Sequence, residues 1–310
     1  MNPKCEYGCG KEATHQFNKG KWCCSKYHAG CPGWISKYNA GKNNPDNKHV
    51  YVNGIGRSDY TETKQKHFKE IVVVLLSIYR SLIVKYPNWK KMDDSFWYFD
   101  THAGDGSPGS SASNFLSIAK GFKFKINAVL IEKIKGNFKK LESNIIKYES
   151  SAIKIETCHG KNEDIMPEYC EAPSTNFKFG VLYSDPNGVP NLDMLKQVAQ
   201  TQCFEKLDIV INLSATAIKR TLGSSNSAHS KHTKNLVQYI KEINKKHWLI
   251  KEPFVDGCQK TTNMQWTFLI GTNWTDFPKF KKLGFHAIDS DRGQEILHYL
   301  NFTRKEKGMA

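Results

Sequence analysis

The chain has 310 residues, of which 39% are hydrophobic and 12% aromatic, so it can bury a sizeable core and is not wholly disordered. No apolar run approaches the roughly 20 residues that a membrane-spanning helix needs, and the N-terminus has no signal-peptide pattern. We therefore expect a soluble cytoplasmic protein without a membrane partner. The formal charge of +15 favours a polyanionic partner such as nucleic acid.

Cysteines crowd the start of the chain. Five of the nine lie within the first 31 residues, and the other four are scattered singly. One dense cluster beside isolated thiols is typical of a metal site in a reducing compartment rather than of a disulfide framework. So short a segment also needs a staple to hold a fold. Residues 1–40 are therefore predicted to form a structural zinc-binding module, with disulfides or buried free thiols as the alternative.

Tetrahedral zinc needs four sulfur or nitrogen ligands carried by two short knuckles. The predicted ligands are Cys5, Cys9, Cys24 and Cys31. Adjacent residues of an extended segment point to opposite sides, so only one of Cys23 and Cys24 is expected to bind the metal. Cys24 is the favoured member of the pair, with Cys23 and then His28 as the alternatives.

The stretch CEYGCGKEATHQFNKGKWCCSKYHAGCP resembles the small zinc fingers attached to endonucleases of phages and mobile elements. The resemblance implies an accessory module that aids DNA binding rather than a catalytic metal. It also implies a phage or mobile-element protein that works in the host cytoplasm.

Residues 41–59 are rich in Gly and Asn and lack helical periodicity, which indicates a linker. Residues 60–310 are predicted to form a single domain. Apolar residues recur at helical spacing from about Tyr60 to Tyr86, and Pro87 ends that helix. The strands predicted after it are Phe96–Asp100, Ala128–Glu132, Ile153–Thr157, Phe179–Asp185, Asp208–Leu213, Trp248–Glu252 and Gln265–Ile270. The helices predicted between them are Ser111–Ala119, Ile134–Tyr148, Leu192–Ala199 and Thr233–Lys245.

Strands that alternate with helices predict an α/β fold, with a Rossmann-like parallel sheet and crossover helices. The last predicted strand follows an irregular segment, and we expect it to close the sheet edge in antiparallel orientation.

A glycine-rich turn follows the first predicted strand, in the sequence DTHAGDGSPG from Asp100 to Gly109. Glycine permits the close backbone approach and unusual dihedrals that a ligand-binding loop needs. Such a loop fits several nucleotide-binding families, and this one is neither a phosphate-binding P-loop nor a clean GxGxxG motif.

Two further strand ends support a nucleotide site. Glu132 ends the second predicted strand, where a Rossmann-like domain places its acceptor for ribose hydroxyls. Asn162 and Asp164 follow the third strand and are predicted to flank the adenine ring.

The fourth strand ends in a polar tip, Asp185-Pro186-Asn187-Gly188. Tips of parallel strands lie at the carboxyl edge of a sheet, beside the cofactor. Asp185 is therefore predicted to hold an amine nucleophile. A simple Asn-Gly turn is the alternative.

The motifs DTHAGDGSPG, VLIEK and SDPNG occur in the order and spacing of class I S-adenosylmethionine (SAM)-dependent methyltransferases. Asp-Thr-His-Ala-Gly resembles motif I of a bacterial 23S rRNA adenine-N6 methyltransferase, and residues 58–302 more widely resemble the three-Cys-motif partner (TcmP) family. The resemblance implies SAM as methyl donor. Its implied cofactor-binding residues are Asp100, His102, Ala103, Gly104, Gly106 and Glu132. The implied catalytic residues are Asp185, Pro186, Asn187 and Gly188.

The polar tip departs from the amino-methyltransferase tetrad [DNS]-P-P-[YFW], because Asn187 replaces the second proline and Gly188 the aromatic residue that stacks on the target base. Trp266 or Tyr183 is the candidate for supplying that aromatic ring. We expect methylation of nucleic acid, with DNA favoured over RNA and an exocyclic amine such as adenine N6 as target. The alternatives are an inactive methyltransferase-like protein that binds DNA or a protein partner, and another group transfer on the same scaffold.

Overall fold

The computed structural model describes residues 3–16, 21–25, 31–33, 50–52, 55–57, 59–87, 91–172, 174, 176–186, 190–214, 240–253, 266–274 and 278–301. The chain divides into two compact units, Met1–Thr63 and Lys64–Ala310. Within the first unit, two short antiparallel ribbons form. They are β1 (His15–Gln16) with β2 (Trp22–Cys23), and β3 (Val50–Val52) with β4 (Ile55–Arg57).

The second unit is built around one large sheet. Its strands are β5 (Met92–Asp100), β6 (Lys125–Glu132), β7 (Ile153–His159), β8 (Phe177–Ser184), β9 (Leu207–Ser214), β10 (His247–Lys251), β11 (Trp266–Thr272) and β12 (Phe285–Ala287). The described helices are α1 (Asp59–Lys85), α2 (Ser111–Ala119), α3 (Lys135–Ile145), α4 (Asn162–Glu171), α5 (Leu192–Gln200), α6 (Pro278–Lys281) and α7 (Asp291–Asn301). Short 3-10 turns follow α3 and α5.

The strand order is β12-β10-β11-β9-β8-β5-β6-β7. Strands β5 to β9 pair in parallel, while β11 lies antiparallel between β9 and β10, and β12 is antiparallel to β10. The carboxyl ends of five parallel strands therefore meet at one edge, where open α/β sheets bind their ligands.

Both faces of the sheet are covered by helices. Because side chains alternate along each strand, the central strands contribute residues to both cores. On one face Phe96 and Tyr98 pack with α1, and the rings of Tyr79 and Phe96 lie 5.5 Å apart. On the other face Phe99 packs with residues of α4 and α5. Near-continuous burial along β8 and β9 reflects this coverage on both sides.

The predicted Rossmann-like α/β fold is confirmed, and the seven predicted strands correspond to β5–β11 with shifts of only a few residues at their ends. The last one is antiparallel to β9, as predicted, but its expected place at the sheet edge was wrong. Trp266–Thr272 lies inside the sheet, not at its edge, because six of its seven residues are buried and need neighbours on both sides. The edge strand on that side of the sheet is β12, which was not predicted.

Helices α4, α6 and α7 were also not predicted, since none of them shows a long apolar period. Most of the predicted helix Thr233–Lys245 lies outside the described residues, although residues 240–242 are helical. Within the described ranges, no helix combines the length and apolar character needed to cross a bilayer.

Candidate active site

Asp100 lies at the carboxyl end of β5 and is fully buried, so its carboxylate needs donors within the protein. Oδ2 accepts the Tyr98 hydroxyl at 2.8 Å and the Ser111 hydroxyl at 2.6 Å, while Oδ1 accepts the His102 backbone N–H at 3.1 Å. Burial raises the pKa of Asp100 to about 6, although these donors oppose the rise. Asp100 thus ties the start of the glycine loop to α2 and lies beneath the loop.

Glu132 joins the loop to the next strand. Its buried carboxylate accepts the Gly104 backbone N–H at 3.0 Å through Oε2 and the Ile134 backbone N–H at 2.7 Å through Oε1. The Ala103 backbone N–H donates to the Ile131 carbonyl at 2.9 Å, which adds a second link. The predicted loop and the predicted ribose acceptor are therefore in direct contact.

Gly106 lets α3 pack closely over the loop. Its φ of 64° lies in the left-handed region, and a Cβ there would come within 2.9 Å of Leu141 Cδ1 and 3.0 Å of Ile145 Cγ2. Gly104 also has a positive φ, of 68°. The two glycines are thus required by backbone geometry, and Gly106 also by packing.

His102 and Asn162 form a buried polar network at the loop. The Thr101 hydroxyl contacts His102 Nδ1 at 2.9 Å, and Asn162 Nδ2 lies 3.1 Å from His102 Nε2. Burial lowers the pKa of His102 to about 4, so the imidazole is neutral at pH 7. Asn162 Oδ1 is buried and has no hydrogen-bond partner in the described part of the chain. Asp164, the other predicted adenine contact, is exposed on α4.

Asp185 follows β8 and lies at the centre of a second polar cluster. Its Oδ2 contacts Lys64 Nζ at 2.8 Å and accepts the Tyr183 hydroxyl at 3.1 Å. Its Oδ1 accepts Asn212 Nδ2 at 2.6 Å. Burial favours a higher pKa for Asp185, but the Lys64 charge and these hydrogen bonds hold the pKa below its ordinary value. Asp185 is therefore an ionised, oriented carboxylate.

Strand geometry explains why this cluster forms. Tyr183, Val210 and Phe268 all face the core beneath α1, so residues two positions further toward the carboxyl edge face the same way. These residues are Asp185, Asn212 and Trp266. Lys64 lies one turn before Phe68, whose ring packs 4.4 Å from that of Tyr183. Packing of α1 on this face of the sheet therefore places the Lys64 ammonium beside Asp185, where the apolar core ends and the polar residues begin.

Of the other three residues of the predicted tip, only Pro186 is among the described residues. Pro186 is buried directly after Asp185. Asn187 and Gly188 lie outside the described residues.

Lys64 and Asn212 were not among the predicted site residues. The available signals were a Lys-rich start of α1, in the sequence TKQKH, and one polar amide within the otherwise apolar segment IVINLS. An amide at a buried strand position needs a partner, and that partner is Asp185.

The two aromatic candidates differ in their surroundings. Tyr183 is fully buried and its hydroxyl is engaged by Asp185, so its ring is not available to a ligand. Trp266 is only partly buried, at the start of β11, and Lys64 Nζ lies 5.6 Å from its ring centroid. Trp266 is therefore the aromatic side chain that the described structure presents beside Asp185.

The cysteines of the first unit form a cluster. The thiols of Cys5, Cys23, Cys24 and Cys31 all lie within 4.8 Å of one another. Tetrahedral zinc with Zn–S distances of about 2.3 Å requires sulfur separations of about 3.8 Å, so these four thiols fit a zinc ion. None of the eight described cysteines forms a disulfide.

This set differs from the predicted ligands, because Cys23 takes the place of Cys9. Strand β2 ends at Cys23 and the chain bends at Cys24, so the two adjacent thiols do not point apart as they would in an extended segment. Cys9 Sγ lies 3.4 Å from Cys24 Sγ, so it contacts the cluster without belonging to the four mutually close thiols. His28, the lesser alternative, lies outside the described residues.

The second unit thus has a mostly parallel, Rossmann-like sheet, with an antiparallel strand inserted beside the last parallel strands and a glycine loop after the first. No protein-family model matches the sequence, and no curated protein matches it.

Several solved structures are similar in fold. A low-resolution structure of WbdD is 11% identical, with a TM-score of 0.45 over 74% of this chain and 40% of that chain. The METTL16 MTase domain is 11% identical, with a TM-score of 0.39 over 67% of each chain. Precorrin-6y C5,15-methyltransferase from Geobacter metallireducens GS-15 is 11% identical, with a TM-score of 0.37 over 73% of this chain and 94% of that chain.

This chain spans about 40% of the length of WbdD. Likenesses at these identities concern the fold alone.

Proposed function

We propose that this protein is a SAM-dependent methyltransferase that modifies nucleic acid, with DNA as its substrate. The observation that carries the proposal is the link between the glycine loop and the strand that ends at Asp185. The Thr101 backbone N–H and hydroxyl both donate to the Tyr183 carbonyl, at 3.0 and 3.1 Å. The loop that would hold the cofactor is therefore anchored to the strand that presents the proposed catalytic carboxylate.

The residues at the loop fit an adenosyl group. Each carboxylate oxygen of Glu132 accepts one backbone N–H and keeps a further lone pair for a ribose hydroxyl. Asn162 Oδ1 is an unsatisfied buried acceptor in the described structure, and it suits the exocyclic amine of adenine. Because His102 is neutral, its ring adds no positive charge that would repel a sulfonium.

When bound, SAM supplies an electrophilic methyl group. The role of Asp185 is to accept an N–H from the substrate and so orient the attacking nitrogen. Its lowered pKa makes it a weak base, but an aromatic amine that has gained a methyl group is a strong acid, so a weak base is sufficient. Most of the acceleration would come from alignment of the nucleophile.

The charge of the surface supports a nucleic-acid substrate. Between residues 120 and 154 the chain carries nine lysines and three glutamates. All nine lysines are exposed, whereas Glu132 is buried, so this stretch exposes many more cations than anions. Such a surface attracts phosphates, and binding through it falls steeply as salt concentration rises.

The cysteine cluster is proposed to hold a structural zinc ion that keeps the first unit folded and lets it aid DNA binding. The four mutually close thiols support this assignment, since the buried cluster among the described residues of this unit consists of cysteines, and so small a core needs such a staple.

Calorimetry and methyl-transfer assays on the full chain test the proposal. We expect the protein to bind SAM and to transfer a labelled methyl group to DNA. We expect Asp185→Ala to abolish transfer while SAM still binds, and Asp193→Ala, an exposed change on α5, to leave both intact. Absence of SAM binding would exclude the cofactor assignment. SAM binding without transfer to DNA or RNA would identify either an inactive scaffold or a different substrate.

A further inference from the structure

Asn212 has an unused acceptor at the active site. The residue is completely buried in β9, and its Oδ1 has no hydrogen-bond partner within the described residues. Its Nδ2 donates to Asp185 Oδ1 at 2.6 Å, which fixes the orientation of the amide. A buried carbonyl oxygen without a partner is costly, so its retention beside a catalytic carboxylate points to a ligand.

Asp185 also keeps one acceptor position. Its Oδ2 is engaged by Lys64 and Tyr183, while its Oδ1 is engaged by Asn212 alone. A carboxylate oxygen accepts two hydrogen bonds, so Oδ1 retains one lone pair. Ser184 and Ile211 are paired in register on adjacent strands, and Asp185 and Asn212 follow them directly. Two neighbouring, hydrogen-bonded residues therefore each keep an unused acceptor.

We infer that Asp185 Oδ1 and Asn212 Oδ1 together bind a primary amine of the substrate, each accepting one N–H. This inference rests on the proposed function and names the chemical group that the site recognises. A hydroxyl has only one hydrogen to donate, and an unprotonated ring nitrogen has none, so either would leave a buried acceptor unpaired. The class of substrate atom is thus the exocyclic amine of adenine, cytosine or guanine. With both N–H bonds held, the nitrogen lone pair remains available for reaction.

The first experiment identifies the acceptor group by removing amines from the substrate. Mixed-sequence single-stranded DNA is offered with labelled SAM, and adenine, cytosine and guanine are replaced in turn by purine, 2-pyrimidinone and hypoxanthine. We expect one of the three replacements to abolish methyl transfer. If every replaced pool is methylated as well as unmodified DNA, the inference is overturned while the proposed function stands. If unmodified DNA and RNA accept no methyl group, the proposed function itself has failed.

The second experiment separates binding of the amine by Asn212 from mere orientation of Asp185. The dissociation constants of oligonucleotides that carry the target base as its amino, methylamino and amine-free forms are measured with wild type and Asn212→Ala. The methylamino form has one N–H and the amino form has two. We expect Asn212→Ala to weaken binding of the amino form by about tenfold and of the methylamino form by less than about twofold. Equal weakening of both would mean that Asn212 only orients Asp185.

Two controls accompany this comparison. Asn273→Ala removes an amide that bonds to the Lys246 N–H and the Glu205 carbonyl, and should change none of the ratios. SAM affinity reports whether the Asn212 variant keeps its fold. If Asn212→Ala does not bind SAM, Asn212→Ser is used instead, with the same expected preference.

Discussion

Lys64 Nζ and Asp185 Oδ2 lie 2.8 Å apart although 121 residues separate them in the chain. The ammonium belongs to the first turns of α1 and the carboxylate follows β8. Their ion pair makes the ionisation of the proposed catalytic carboxylate depend on the docking of a helix that precedes the sheet in sequence.

Lys64→Met should shift the pH dependence of methyl transfer. The pKa of Asp185 is held below its ordinary value, so its contribution to stability is present at neutral pH and is lost only as the pH falls into the acid range. Without the ammonium, burial dominates, and the acid limb of the rate profile should move to higher pH by about 1–3 pH units.

Lys66→Met is the matched control, because Lys66 is exposed on the same helix. Stability at pH 7 should fall by about 2–3 kcal/mol in Lys64→Met and barely change in Lys66→Met, since one variant leaves a largely buried carboxylate unpaired. Identical rate profiles for the two variants would contradict the assigned role of the ion pair.

Glu132→Gln should weaken SAM binding by about 10–100-fold, since loss of a charged acceptor costs about 1.5–3 kcal/mol. The neutral amide has one acceptor oxygen in place of two, so either the Gly104 or the Ile134 backbone N–H loses its partner. Titration calorimetry measures the change. Glu142→Gln, an exposed substitution on α3, serves as control, and comparable affinities for the two variants would remove Glu132 from the cofactor site.

Gly106→Ala should destabilise the protein more than Gly109→Ala. Both glycines have positive φ, of 64° and 89°, so each substitution costs about 1–2 kcal/mol of backbone strain. Only at position 106 would the new methyl group also meet Leu141 and Ile145, which adds about 1–3 kcal/mol. Urea denaturation measures the free energy of unfolding of both variants. An equal decrease in the two would show that α3 can shift to accommodate the new methyl group without loss of stability.

Cys23→Ser should release zinc, whereas Cys9→Ser should retain about one ion per chain, because the thiol of Cys23 but not that of Cys9 belongs to the four mutually close sulfurs. Metal content by mass spectrometry after dialysis distinguishes the variants. If Cys9→Ser loses the metal and Cys23→Ser retains it, the ligands are instead those predicted from the spacing of the cysteines, with Cys9 in place of Cys23.

Asp208→Asn should stabilise the protein at alkaline pH. Burial raises the pKa of Asp208 to about 7, against the effects of Thr272 and Lys245, so the native state binds a proton that the unfolded chain has released. The stabilising effect of this proton is complete below the unfolded pKa and is lost as the pH rises through about 7.

The advantage of Asp208→Asn at pH 8 should reach about 2–4 kcal/mol, shrink steadily as the pH falls, and disappear below about pH 4. Asp289→Asn, on an exposed residue, should give the wild-type dependence on pH. A pH-independent difference between Asp208→Asn and wild type would refute the shifted ionisation.

Local patterns were sufficient to identify most elements of the second unit. Alternation and apolar runs predicted the seven strands β5–β11, because burial on two faces imposes those residues wherever a central strand lies. Glycines at 104 and 106 and the acid at 132 could be selected for the loop because their roles depend on backbone geometry and on position at a strand end.

The sequence alone therefore determined the type of most elements of the sheet domain and the polar residues at strand ends, since these follow from interactions between near neighbours. The tertiary structure alone decided which distant residues meet. Lys64 reaches Asp185 through helix docking, Asn212 reaches it through strand register, and β11 lies inside the sheet through pairing with β9 and β10. Such contacts depend on the packing energy of the whole sheet, and a strand carries no local signal of which neighbour it will pair with.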